Sequence, residues 1–336
     1  MKNTAYSILE LAVVAEGSTA ADAYRNSLTL AQHAEKWGYT RFWLAEHHNM
    51  ISVASSATVV LMAHIAGGTS EIRVGSGGIM LPNHSPLIVA EQFGTLAHLF
   101  PNRIDLGLGR APGTDQLTAQ AIRPDRMQSV FRFPDEIRQI QQYFSQENAS
   151  SKVRVAIAEG MPVPIYILGS STDSAHLSAA MGLPYAFASH FAGAQLMEAL
   201  AIYFREFQPS AQLEQPYAMA GVNVIVADTM EEAERLSTSY LRMVLGVITG
   251  QIQYLQPPEE MTEDFRALRA HPTMQSFLRY SFIGNKETVK AQLRNFIETT
   301  RVSELIISTN LFNPADRLRS YELTAEIMKE LQESDS

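Results

Sequence analysis

The chain has no cysteine among its 336 residues. Disulfides, thiolate metal sites and a cysteine nucleophile are therefore excluded. Basic charge is scarce too: 26 Lys and Arg stand against 35 Asp and Glu, a formal net charge of −9. Nucleic acid or an anionic membrane surface needs a basic footprint that this balance does not supply, although one phosphate in a local pocket is compatible with it. No stretch approaches the ~20 consecutive apolar residues of a membrane helix. Glu10 interrupts the apolar run in MKNTAYSILELAVVAEG, where a signal peptide would need an unbroken hydrophobic region. The cytoplasm is the expected location. There is neither an internal repeat nor a linker rich in Pro, Gly or Ser, so a single domain over 1–336 is expected.

What is present is an alternation. The spacing predicts strands at 6–14, 39–48, 72–81, 103–109, 164–170, 183–191, 218–228 and 304–310. Helical spacing fills 20–37, 57–66, 86–100, 125–144, 173–181, 194–207, 285–300 and 314–331, and another helix starts at Thr229. Pro134 should kink or restart the helix it falls in. Residues 145–164 read as a loop, and a less regular span runs to about 283. Near-continuous apolar strands separated by helices imply a parallel sheet covered on its outer face. Eight such units give an α/β fold class, a TIM (β/α)8 barrel with insertions. A doubly wound sheet would place G-x-G-x-x-G after the first strand, where this chain has EGSTAAD.

A barrel builds its active site at the C-terminal ends of its strands, and the polar and glycine-rich positions fall there. The second strand ends in Glu46-His47-His48, the third in Gly75-Ser76-Gly77-Gly78, the fourth in Gly107-Leu108-Gly109-Arg110. The fifth ends in Gly169-Ser170-Ser171, the sixth in Ser189-His190, the eighth in Asn310. Glycine in a strand marks close approach of a ligand or another backbone. Two adjacent strands thinned at one height suggest a wall against which a planar ring could lie; the alternative is that small residues let large neighbours pack. Ser170, Ser171 and Ser174 open a helix, where hydroxyls, free N–H groups and the helix dipole favour a phosphate. Arg110 could add a bidentate countercharge; ordinary N-capping is the competing reading, and Asp173 would repel a phosphate unless it points away. Neighbouring strand residues face opposite ways, and Glu46 with His48 would supply only two ligands, so no metal site is expected. His47 shares a face with Trp43 and Ala45, and a single imidazole there suits a general base.

WLAEHHNM, RVGSGGIMLPNHSPLIVAEQFGTL, PNRIDLGLGRAPGTD, PIYILGSSTDSA and FIGNKETVKAQL together resemble the luciferase-like family of flavin-dependent monooxygenases. The similarity covers nearly the whole chain and is strongest between 40 and 115. It implies that reduced FMN, delivered by a separate NAD(P)H flavin reductase, acts with O2 to oxygenate a small organic substrate. It implies His47 as the active-site base, Gly77-Gly78 as a non-proline cis peptide beneath the flavin ring, and Ser76 and Gly109 beside it. It also implies a phosphate held by Arg110, Ser170, Ser171 and Ser174, with Arg123 or Arg126 as a second arginine. A homodimer and a mobile lid at about 240–283 belong to the same expectation. Gly109 stands where the light-emitting members carry cysteine, which puts long-chain aldehyde chemistry in doubt. The alternatives are hydride transfer with a deazaflavin, or an FMN-binding protein without turnover.

Overall fold

A computed structural model describes residues 4–333; residues 1–3 and 334–336 of the expected domain lie outside it. The chain order is β1 (Ala5–Glu10), α1 (Ala20–Trp37), β2 (Arg41–Leu44), α2 (Thr58–Gly67), β3 (Arg73–Ser76), β4 (Ile79–Met80), α3 (Pro86–Leu99) and β5 (Ile104–Gly109). There follow α4 (Gln116–Ile122), α5 (Arg126–Phe131), α6 (Phe133–Phe144), β6 (Ile165–Gly169), α7 (Thr172–Met181), β7 (Tyr185–Phe187), α8 (Leu196–Glu206) and β8 (Ala218–Val226). The last third holds α9 (Met230–Thr249), α10 (Glu263–Ala270), α11 (Pro272–Phe277), β9 (Ser281–Gly284), α12 (Lys286–Thr300), β10 (Glu304–Ser308) and α13 (Pro314–Glu333).

All strand pairs are parallel, in the order β10-β1-β2-β3-β5-β6-β7-β8, and β10 pairs with β8 as well as with β1. The sheet therefore closes into the eight-stranded barrel that the alternation predicts. The outward positions Ile8, Phe42, Val74, Leu106, Ile167 and Leu305 pack under the helices in the main core. The inward positions Leu9, Trp43, Tyr166, Ala186, Met219 and Ile306 fill the barrel. Period-2 alternation produces both sets from the same strands.

Below that apolar layer lies an ionic one. Arg41, at the start of β2, donates through Nε to Glu304 of β10 and through Nη1 to Asp105 of β5, both at 2.8 Å. Nη1 also reaches the Tyr166 hydroxyl at 2.7 Å, Trp43 Nε1 donates to Asp105 at 3.1 Å, and Tyr217 donates to Glu304 at 2.6 Å. Arg73 reaches the other Asp105 oxygen and Ser7 reaches Glu304. All three charges of the central triad are buried, and each carboxylate is shared among several donors, as a buried charge requires.

Several expectations need correction. β1 ends at Glu10 and β2 at Leu44, short of 14 and 48, so His47 and His48 lie on the loop beyond the strand. The third strand is split. From Gly75 to Ile79 it advances four residues while β5 advances three, from Asp105 to Leu108. The Gly77–Gly78 peptide inside that bulge is cis. Pro134 does restart a helix, at the second position of α6. The span after 240 is mostly helical: α9 continues to Thr249, α10 and α11 follow, and β9 adds a strand beside β8. Between them Leu255 exchanges backbone hydrogen bonds with Val14 and Glu16, at 3.0 and 2.9 Å, which fastens this segment to the loop after β1. No helix among the described residues is long and apolar enough to cross a membrane.

Arg41→Ala would leave Glu304 and part of Asp105 buried without their shared cation. Chemical denaturation should show a loss of about 3–5 kcal/mol, whereas Arg138→Ala, in an exposed pair with Asp135, should change little.

Candidate active site

The mouth of the barrel is organised by Glu46. Its carboxylate is buried and accepts from His48 Nε2 at 2.9 Å, His84 Nε2 at 2.9 Å, Asn83 Nδ2 at 3.1 Å and the Met80 N–H at 2.9 Å. Burial alone would raise its pKa. The bonds from His48 and His84, the charge of His84 and the Met80 N–H outweigh that and hold it at about 2. Glu46 thus ties the end of β2 to the turn after β4. Among the described residues no group of three or more His, Asp or Glu is placed to hold a metal ion.

His47 is partly buried, with its N–H bonded to Ser55 O at 2.9 Å. Burial pushes its imidazole below the ordinary value, against the Gly113 carbonyl and the Glu46 charge, so the ring is neutral at pH 7. A neutral imidazole at the mouth can accept a proton.

The glycine wall is more occupied than the sequence suggests. A Cβ on Gly75 would lie 2.6 Å from Trp43 Nε1, and one on Gly77 would lie 2.8 Å from Leu9 and 3.1 Å from Trp43. The flat ring on that face is the protein's own indole. A Cβ on Gly107 would meet Ser76 O at 2.1 Å, on Gly78 Gly107 O at 2.8 Å, and on Gly109 Met80 Cε at 2.7 Å. These glycines let β3, β4 and β5 approach where the bulge sits. Gly77 is partly exposed, while Gly75, Gly78, Gly107 and Gly109 are buried. The Ser76 hydroxyl donates to Gly107 O at 2.8 Å and accepts from Gly107 N–H at 3.0 Å. It is fully engaged in stapling β3 to β5 and supports the wall from behind.

The start of α7 is different. Ser171 is its N-cap, in extended conformation, with no side-chain capping bond, so hydroxyl and first-turn N–H groups are available. Ser170 is exposed beside it. Ser174 donates to Ser171 O at 2.7 Å and pairs with Tyr185 OH at 3.0 Å, so it braces the turn. Arg110, just past β5, is exposed and reaches Asp173 at 3.4 Å, its one ion pair among the described residues. The carboxylate that would repel a phosphate is therefore turned to the arginine. The two candidates for a second arginine are both committed elsewhere. Arg126 is buried, donating to Asn83 Oδ1 and to Arg110 O, each at 2.9 Å, and Arg123 donates to His84 O at 2.9 Å and to Asp125 at 3.1 Å. Arg126 acts by propping the backbone of Arg110.

Sequence reading left Glu46 and His84 without roles. The LPNHS turn carried the signal for His84, but its partner lies across the chain.

Residues 5–303 match the sequence profile of the luciferase-like monooxygenases. The chain is 49% identical over 329 residues to the uncharacterized protein YvbT of Bacillus subtilis, and 44% identical over 330 residues to a luciferase-like monooxygenase of Escherichia coli; both alignments cover 98% of each chain. It is 33% identical over 334 residues to the N-acetyl-S-alkylcysteine monooxygenase of B. subtilis, covering 95% of this chain and 97% of that one. Among solved structures, apo-MsnO8 superposes with a TM-score of 0.89 at 34% identity, over 97% of this chain and 98% of that one. The oxygenating constituent of 3,6-diketocamphane monooxygenase from Pseudomonas putida, in complex with FMN, gives 0.74 at 15% identity over 97% of each chain, a likeness of fold alone.

Glu46→Gln should lower stability at pH 7 by about 1–3 kcal/mol, since it removes a charged acceptor from several donors. A carboxyl with a depressed folded pKa stabilises fully above its ordinary value of 4.5 and loses that contribution as pH falls towards about 2. The gap between wild type and variant in urea denaturation should therefore close over that window. A gap independent of pH between 5 and 2 would contradict the role given to the Glu46 charge.

Proposed function

The chain belongs to the luciferase-like monooxygenase family, and on that premise we propose that it is the oxygenating component of a two-component flavin monooxygenase, using reduced FMN and O2 on a small organic substrate. The observation that carries the cofactor assignment is the uncapped start of α7 facing Arg110. Free N–H groups, two hydroxyls and a guanidinium with one long ion pair form a set that fits a phosphate monoester, and the partly exposed edge at Gly77 leaves an approach for a ring beside it.

When bound, reduced flavin supplies the electrons that activate oxygen. The chain supplies the rest. Ser170, Ser171 and Arg110 hold the phosphate, and Ser174 keeps the turn in shape. Gly77, with Gly78 and Gly109 behind it on the Ser76 staple, lines the side of the mouth that receives the ring. His47, neutral and at the lip, takes and returns the proton that oxygen transfer requires. To the segment at about 240–283, which Leu255 fastens to the loop after β1, the same reading gives the role of closing the mouth against water. In the same reading, reduced flavin arrives from a separate NAD(P)H flavin reductase and the chain works as a homodimer.

Anaerobic titration with reduced FMN tests the phosphate assignment. Arg110→Ala should weaken reduced FMN by about 10–100-fold, the worth of a charged hydrogen bond, and leave reduced riboflavin unaffected. Equal effects on both would sink the assignment. A screen of oxygenation substrates would begin with N-acetyl-S-alkylcysteine, the substrate in the name of one relative. With any substrate found, His47→Ala should lower turnover by about 10²–10⁴-fold while reduced FMN still binds; unchanged turnover would remove His47 from the reaction.

A further inference from the structure

His190 lies just past β7, and its ring is held from several sides. Its Nδ1 packs against the α-carbon of Gly221 on β8, where a Cβ would come within 2.3 Å. Phe191 meets the ring edge-on, with centroids 4.8 Å apart at 85°. The backbone is pinned as well: Asn223 Nδ2 donates to His190 O at 2.6 Å, and Ser189 Oγ donates to Gly221 O at 2.6 Å. Gly221 and Asn223 share the inward face of β8, so the ring stands at the mouth.

The Nδ1 atom is buried and has no hydrogen-bond partner among the described residues. The residue as a whole is partly exposed, so the accessible edge is the opposite one, carrying Nε2. A buried N–H without an acceptor is among the rarest features of folded proteins, whereas an unpaired acceptor is better tolerated. The proton of the neutral ring therefore belongs on Nε2. Protonating the ring would place an N–H on Nδ1, with nothing to receive it.

We propose that His190 is locked as a neutral Nε2–H donor facing the barrel mouth, where it orients the bound flavin by donating to an acceptor atom of its ring system. This rests on the flavin reading above. It assigns His47 and His190 opposite work: His47 is the proton acceptor, and His190 is a fixed donor. Burial, reinforced by repulsion from His47 when that ring is protonated, holds the His190 pKa at about 4, in keeping with a ring that stays neutral.

The test has two independent arms. Long-range ¹H–¹⁵N correlation spectra of ¹⁵N-histidine-labelled protein at pH 7, assigned with a His190→Gln sample, report the tautomer directly. An Nε2–H tautomer whose signals shift on saturation with FMN is expected; an Nδ1–H tautomer or an imidazolium would overturn the assignment. The second arm compares variants by FMN titration. Gln places an amide N–H near the Nε2 position and Asn places one near Nδ1. His190→Gln should bind FMN within about threefold of wild type, and His190→Asn and His190→Leu should each lose about tenfold. Equal affinity in all three, or rescue by Asn and not Gln, would overturn the donor role. An Nε2–H tautomer in a wild-type protein that binds no FMN would overturn the flavin reading, and with it the flavin as recipient, but not the locked ring.

Discussion

The Arg41 guanidinium at the floor of the barrel is the constraint on which the rest is built. One cation joins β2 to β5 through Asp105 and to β10 through Glu304, and adds β6 through Tyr166. A parallel barrel has no hairpins to set its register, since every connection crosses over a helix. A one-residue slip of β2, β5 or β10 would bring an apolar side chain to the charged layer and turn its charge towards the core under the helices. The buried triad thereby penalises wrong registers, whatever its net contribution to stability. Directly above it, Trp43 donates to Asp105 and its indole lies over Gly75 and Gly77, so the ionic floor positions the aromatic layer that supports the mouth.

The mouth repeats the principle with a second buried carboxylate. Glu46 gathers the end of β2 and the turn after β4, and that turn receives Arg126 through Asn83 and Arg123 through the His84 carbonyl. Arg126 in turn fixes the backbone of Arg110. A chain of hydrogen bonds therefore runs from the loop that carries His47 to the arginine proposed for the phosphate. The loop that carries His47 and the backbone of Arg110 are both referenced to one buried charge, which is how a site on loops obtains the rigidity of its scaffold.

The barrel was legible because its strands are apolar on both faces and its helices carry clear starts and stops, down to the restart at Pro134. The C-terminal clusters of glycine, serine and histidine were legible because a barrel has one functional end. The tertiary partners were not. Glycines at 75 and 77 announce that something flat lies close, but only the register reveals Trp43 as that ring. Glu46 reads as half of an incomplete metal site, because its partners Met80, Asn83 and His84 lie over thirty residues away. Arg123 and Arg126 look like spare cations until the carbonyls that engage them are seen. The helical 230–277 span reads as irregular because its prolines and acidic clusters sit between α9 and α10, hiding how far each helix extends.

The proposed binding mode puts FMN in the mouth, with its phosphate at α7 and its ring towards Gly77. A crystal structure of the FMN complex tests it most directly. The phosphate should lie within hydrogen-bond reach of Ser170, Ser171 and Arg110, and the ring between the Gly77 edge and the His47 and His190 imidazoles. FMN seated elsewhere, for example in the cavity between α1 and α13 lined by Asn310 and Arg317, would contradict it.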